Sequence, residues 1–141
     1  MRNNLKVLIT STSFQDTPGR HHDLINAQGF VVDTLRGPLI AEELQSVINQ
    51  YDGIICGDDE LNASVIETAA RGRLKVISKY GVGLDKVDIN AAEEYNIPIR
   101  NCLGTNHIAV AEHVFAMLLS YYKNIYQEFL FLQKNHTLSN Y

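Results

Sequence analysis

The sequence is poor in cysteine: Cys56 and Cys102 are the only two in 141 residues. That count excludes the disulfide framework of a small secreted domain. No run of lysine or arginine interrupts a net charge of -4, so no nucleic-acid partner is expected. Nothing approaches an uncharged membrane span, and no membrane partner is expected either. The start, MRNNLKVLITSTSF, has too short an apolar run for a signal peptide and no small-residue cleavage site. There is no repeat at solenoid spacing and no low-complexity segment. The three-glycine dinucleotide fingerprint G-x-G-x-x-G is missing from the whole chain. What these absences leave is a soluble protein of a reducing cytoplasm.

What is present is a core. The length suits one compact domain, and 45% hydrophobic residues against 20% charged argue against disorder. Short apolar runs alternate with helix-period segments. Val7 to Thr10 reads as a buried strand, followed by a loop from Ser11 to Gly19 and a helix from Arg20 to Gln28, closed by Gly29. Phe30 to Val32 is a second strand, and residues 39–49 a helix with Leu44, Val47 and Ile48 on one side. Gly53 to Cys56 is the third strand, 61–70 a helix, and Leu74 to Ser78 the fourth strand. A short helix over 88–95 and a short strand at Ile97 to Ile99 complete the series. Pro98 lacks a ladder donor, which puts that last strand at an edge. Strands separated by single helices imply right-handed βαβ units and a doubly wound, mainly parallel α/β sheet of flavodoxin type with about five strands.

The C-terminal segment differs. Residues 106–133 contain neither proline nor glycine. Apolar residues fall on nearly every side, among them Ile108, Val110, Val114, Phe115, Leu118, Phe129 and Phe131. A long helix apolar on several faces must be buried on several faces. One five-stranded sheet has no room for all of it, so another domain or another copy of the chain should cover the remainder.

Chemistry centres on Lys79-Tyr80-Gly81-Val82-Gly83-Leu84-Asp85, just past the fourth strand. A dinucleotide fingerprint needs three glycines, for the turn, the pyrophosphate approach and helix packing. Gly81 and Gly83 supply two, but the third position is Lys86. The turn still lies beyond the carboxyl end of a parallel strand, where ligands of such sheets bind. Glycines permit positive φ and close approach of the backbone. Successive N–H groups there can form a nest for a carboxylate or phosphate. From local sequence alone, a plain tight turn that needs glycine is the favoured reading of the two.

The continuation, KVISKYGVGLDKVDINAAEEYNIPIRNCLGTNHIAVAEHVFAMLLS, resembles the D-isomer-specific 2-hydroxyacid dehydrogenases and looks most like their phosphoglycerate dehydrogenase branch. The matching features run in order: Gly81, Gly83, Asp85, Val87-Asp88, Ala91-Ala92, Ile97 to Asn101, Gly104 and Ala111-Glu112. The resemblance implies a flavodoxin-like substrate lobe over residues 1–104 and a lobe-crossing, dimerising helix over 105–141. In that family a Rossmann lobe holds NAD. Its glycine fingerprint is expected at about Tyr141, where this sequence stops, so no tight NAD binding is expected of this chain alone. The family's catalytic arginine, glutamate and histidine match no position here. By resemblance, Tyr80, Gly81, Val82 and Gly83 hold the carboxylate of a 2-oxo acid. Val82 also borders the nicotinamide, and Val110 can face the cofactor. The implied chemistry is NAD-dependent oxidation of a 2-hydroxy acid, with this chain a truncated substrate lobe, inactive alone. The alternative is a stand-alone small-acid-binding or regulatory module, a homodimer or a partner of a full-length relative through residues 106–133.

Several residues invite other readings. Glu112 and His113 are helix neighbours about 100° apart and do not face each other. His21-His22 has no acid or cysteine at ligand spacing and suits a solvated helix face. Asp58 or Asp59 suits a helix N-cap. Cys56 should be an inert buried thiol. Cys102 lacks an adjacent base. Arg20 and Arg100 suit solvated surface. No catalytic or metal-binding residue is assigned.

Overall fold

The computed structural model describes residues 4–138. The chain forms two compact units, divided between Leu103 and Gly104.

The first unit is a five-stranded parallel sheet in the order β2-β1-β3-β4-β5. The strands are β1 (Lys6–Ile9), β2 (Val31–Thr34), β3 (Gly53–Cys56), β4 (Val76–Lys79) and β5 (Ile99–Arg100). This is the doubly wound flavodoxin-type order expected from the sequence. The helices are α1 (Thr12–Asp16), α2 (Arg20–Ala27), α3 (Ala41–Val47, running into a 3-10 turn at Ile48–Gln50), α4 (Ala63–Arg71) and α5 (Ile89–Glu94).

Alternation along the strands fills the core. Leu8, Ile54, Cys56 and Ile77 point to one face, where Leu44, Ile48, Val65, Ile66, Ala69 and Ala92 from the helices meet them. Each such large side chain removed from water contributes roughly 2 kcal/mol before entropy is charged against it. Val7, Gly53, Ile55, Val76 and Ser78 point the other way. They line an apolar hollow of about 310 Å³, bordered by Ile25 of α2 and by Phe30. Right-handed crossovers explain the asymmetry. The step from β1 to β2 runs one way along the sheet and the steps to β3, β4 and β5 run the other.

Two elements depart from the sequence reading. The stretch 11–19 contains α1 instead of a continuous loop. The Ser11 hydroxyl accepts the Phe14 N–H at 3.3 Å, and Phe14 is buried, so a cap and an apolar anchor nucleate five residues of helix. The cap of α4 is Asn62, whose side chain accepts the Val65 N–H at 3.1 Å. Neither Asp58 nor Asp59 caps a helix. The edge position of β5 agrees with Pro98, whose carbonyl accepts the Ile77 N–H at 3.0 Å.

The second unit holds α6 (His107–Tyr122) and α7 (Ile125–Leu138). The single helix expected over 106–133 is interrupted. Asn124 takes φ = 51°, a left-handed conformation that asparagine tolerates better than most residues. The Lys123 N–H closes α6 on Leu119 O at 2.9 Å. Asn124 O then receives the Glu128 N–H at 3.0 Å and opens α7. No side chain of α6 is buried, and Phe115 and Phe131 are 65% and 66% exposed. Among the described residues, no helix is long and apolar enough to cross a membrane.

Candidate functional site

Tyr80, Gly81, Val82 and Gly83 form one turn at the carboxyl end of β4, and its neighbours hold it in a particular sense. The Tyr80 N–H bonds to Cys56 O at the end of β3, at 2.9 Å. Gly81 O accepts the Cys102 N–H at 2.8 Å, and Val82 O accepts the Asn101 side-chain amide at 2.7 Å. The two central carbonyls of the turn are thus spent on the loop after β5. Among the described residues, the N–H groups of Gly81, Val82 and Gly83 have no protein acceptor. Adjacent amides left open while their carbonyls are tied back have the polarity of an anion nest.

Positive φ among the glycines occurs at Gly29 and Gly104, not at Gly81 or Gly83. A Cβ on Gly81 would come within 3.2 Å of Lys79 Cε, and one on Gly83 within 2.9 Å of Asp85 Oδ1.

Lys79 lies beneath the turn and is buried. Its ammonium donates to Gly57 O and to Asp58 Oδ1 at 2.6 Å. That hydrogen bond and its charge hold the Asp58 carboxyl below the usual aspartate range. Asp59, the next residue, is fully buried. It accepts from the Thr10 hydroxyl at 2.6 Å, from Leu39 N–H at 2.7 Å and from Gly57 N–H at 2.8 Å. Thr10 and Gly57, two of these partners, line a small polar cavity of about 90 Å³. Its wall includes Ser11, Thr12, Ser13, Pro38, Asp58 and Tyr80.

Above the turn stands a ring cluster. Tyr80 meets Phe14 edge-on at 5.4 Å, and Phe14 meets His21 at 4.5 Å. His21 and His22 are therefore half-buried packing partners, not a solvated face. Their ring nitrogens contact Phe14 O at 3.2 Å and Thr17 O at 3.3 Å.

Val110 lies on α6 in the second unit, with its side chain 54% exposed. Glu112 and His113 are exposed on the same helix, as are Arg20 and Arg100 in the first unit. Burial pushes the Cys56 thiol up to about 12, which makes it inert at neutral pH. Cys102 places its sulfur 3.7 Å from Lys79 O. Among the described residues no group of three or more His, Cys, Asp or Glu side chains could hold a metal ion. Sequence reasoning quoted Lys79 and Asn101 without giving either a role, and missed Asp59 and Thr10 as parts of this region. A pair of acids directly after a strand, opposite a row of hydroxyl residues after another, was the available signal.

Comparison with known proteins agrees with this fold. The family model described as "D-isomer specific 2-hydroxyacid dehydrogenase, catalytic domain" matches residues 7–135. D-3-phosphoglycerate dehydrogenase of Archaeoglobus fulgidus is 35% identical over 106 residues, covering 74% of this chain and 20% of that protein. Chloroplastic D-3-phosphoglycerate dehydrogenase 2 of Arabidopsis thaliana is 36% identical over 89 residues, covering 63% and 14%. The chain therefore spans a fifth or less of these two relatives. Among solved structures, the TT0316 protein of Thermus thermophilus matches with a TM-score of 0.76 and 30% identity, over 92% of this chain and 40% of that one. An NAD+-bound 3-phosphoglycerate dehydrogenase of Entamoeba histolytica shares the fold, with a TM-score of 0.67 and 21% identity over 83% and 39%.

Proposed function

The chain belongs to the D-isomer specific 2-hydroxyacid dehydrogenase family, and on that premise we propose that its first unit is the acid-binding lobe of an NAD-dependent 2-hydroxyacid dehydrogenase of the phosphoglycerate dehydrogenase type, at work in a reducing cytoplasm. The observation that carries the reading is the open row of N–H groups at Gly81, Val82 and Gly83. A carboxylate laid across the turn would receive charge-assisted hydrogen bonds from donors already fixed in place, so little reorganisation is charged against binding. Val82 gives the turn an apolar side chain beside that carboxylate, suited to the flat face of a nicotinamide. Val110 is the second apolar residue assigned to the cofactor.

NAD would supply the hydride acceptor. Val82 and Val110 would border its nicotinamide, while the three-glycine loop that would hold its pyrophosphate is missing from this sequence. No group on these residues matches the family's catalytic arginine, glutamate or histidine. The first unit binds and orients the acid, and oxidation needs residues beyond those present here.

Titration calorimetry tests this. Pyruvate and 3-phosphoglycerate should bind weakly, and NADH should not bind. Gly83→Val should abolish acid binding and preserve the fold, since its Cβ meets only the movable end of Asp85. Micromolar NADH binding, or acid affinity unchanged in Gly83→Val, would overturn the proposal.

A second reading rests on the second unit. Its exposed Phe115, Leu118, Phe129 and Phe131 favour a module that pairs through residues 106–133 with a second copy or a full-length relative. Light scattering should then give a dimer, and a clean monomer at high concentration would exclude self-pairing.

A further inference from the structure

We propose that Asp59 is a positioning residue for the acid site: it fixes three separate loops as the wall of the small cavity beside the Tyr80–Gly83 turn. The proposal rests on the acid-binding reading above and adds a residue that neither the family motif nor the turn itself contains.

Burying a carboxylate is costly unless its oxygens are filled. Asp59 is 0% exposed, and among the described residues it takes part in no ion pair. Its compensation is three uncharged donors. Thr10 Oγ1 and Gly57 N–H share Oδ2, and Leu39 N–H takes Oδ1. These donors come from the loops after β1, β2 and β3, which are far apart in sequence and adjacent only at this end of the sheet. Only a carboxylate accepts on both oxygens. The amide of an asparagine would turn a donor toward one of these three donors, so one loop would be released.

The assembly is tight. A Cβ on Gly37 would lie 2.6 Å from Asp59 Oδ1 and 2.7 Å from Thr10 O. Gly37 also donates its N–H to Thr10 O at 3.0 Å. The loop after β2 is thereby pressed against the other two, with glycine at the point of closest approach.

Gly57 transmits this order to the turn. Its N–H is bound by Asp59, and its carbonyl is bound by the buried ammonium of Lys79. The preceding carbonyl, that of Cys56, receives the Tyr80 N–H. Thr10, Gly37, Gly57 and Tyr80 all line the cavity of about 90 Å³. A shift of the Gly57 peptide would move the cavity wall and the start of the turn together. Misplacing fixed donors by a fraction of an ångström weakens binding without unfolding anything.

The test uses the whole chain and three variants: Asp59→Asn, Thr10→Val and Thr10→Ser. Pyruvate affinity is read by calorimetry at a temperature where circular dichroism shows each variant folded. Amide resonances of Tyr80 to Gly83 are read without ligand. Asp59→Asn and Thr10→Val should each weaken pyruvate binding at least tenfold and move those resonances, while the resonance of Gly53 at the far end of β3 stays in place. Thr10→Ser, which keeps the hydroxyl, should restore both. If melting temperature falls while affinity and resonances hold, Asp59 is a stability element only and the proposal fails. If Asp59→Asn does not fold, the Thr10 pair decides. If the wild type binds no pyruvate, the acid-binding reading falls by itself, and the resonances alone decide whether Asp59 positions the turn.

Discussion

Strand β3 is bracketed by two buried aspartates that are held in opposite ways. Asp52 stands just before it. Its carboxylate takes the Lys6 N–H at 2.9 Å, Arg73 at 2.8 Å and Lys75 at 3.0 Å. The two cationic side chains keep about half or more of their surface in water. Asp59 stands just after the strand and is held only by a hydroxyl and two backbone N–H groups. The amino end of the sheet is therefore a charged clamp, whose cations give up little hydration. At the carboxyl end the buried ammonium of Lys79 is already committed to Asp58 and Gly57. Positions there are set by short bonds from uncharged donors to one carboxylate, and the open donors belong to the turn. On the proposed acid-binding reading, one end serves stability and the other presentation, in accord with the rule that parallel sheets bind ligands beyond the carboxyl ends of their strands.

The strongest way to break that contrast is Asp52→Ala. It strands the Lys6 N–H and removes both ion pairs. The full penalty for breaking a buried pair is about 3–5 kcal/mol. Arg73 and Lys75 can return to water, so the expected loss is about 2 kcal/mol. For a unit of this size that lowers the melting temperature by roughly 10 °C. Acid affinity measured on the folded variant should be unchanged. A variant that melts with the wild type, or one that is stable but binds acid poorly, would show that the two ends are not divided in this way.

The sheet was legible because period and spacing determine it. The runs at Val7, Gly53 and Leu74 have apolar residues on both sides, and single helices between them leave a parallel arrangement. The turn was legible from Gly81 and Gly83, although neither takes the positive φ that glycine permits. Asp59 was not legible. Its three donors come from residues 10, 39 and 57, and only the folded sheet brings their loops together. A local reading of Asp58-Asp59 naturally yields a helix cap, but Asn62 is better placed for α4. The break at Asn124 was hidden for a different reason. Asparagine in an apolar helix pattern is tolerated, and the left-handed turn it adopts leaves no trace in the period.

Acid gives a finer test of the same division. The Asp52 carboxyl is held below the ordinary aspartate range, first by the Lys6 N–H and then by Lys75 and Arg73. A depressed folded-state value means stabilisation that is complete above the unfolded value of about 3.9 and is lost as pH falls through the folded one. Asp33, lowered by Tyr51 and Lys6, acts in the same direction on the exposed flank of the clamp. Melting temperature should therefore be flat from neutral pH to about 5 and fall below about 4. The Asp52→Ala variant lacks one of the depressed carboxyls, so its curve should fall less and the gap to wild type should narrow with acid. Parallel curves through that window would mean that the clamp acts through packing and not through its charge.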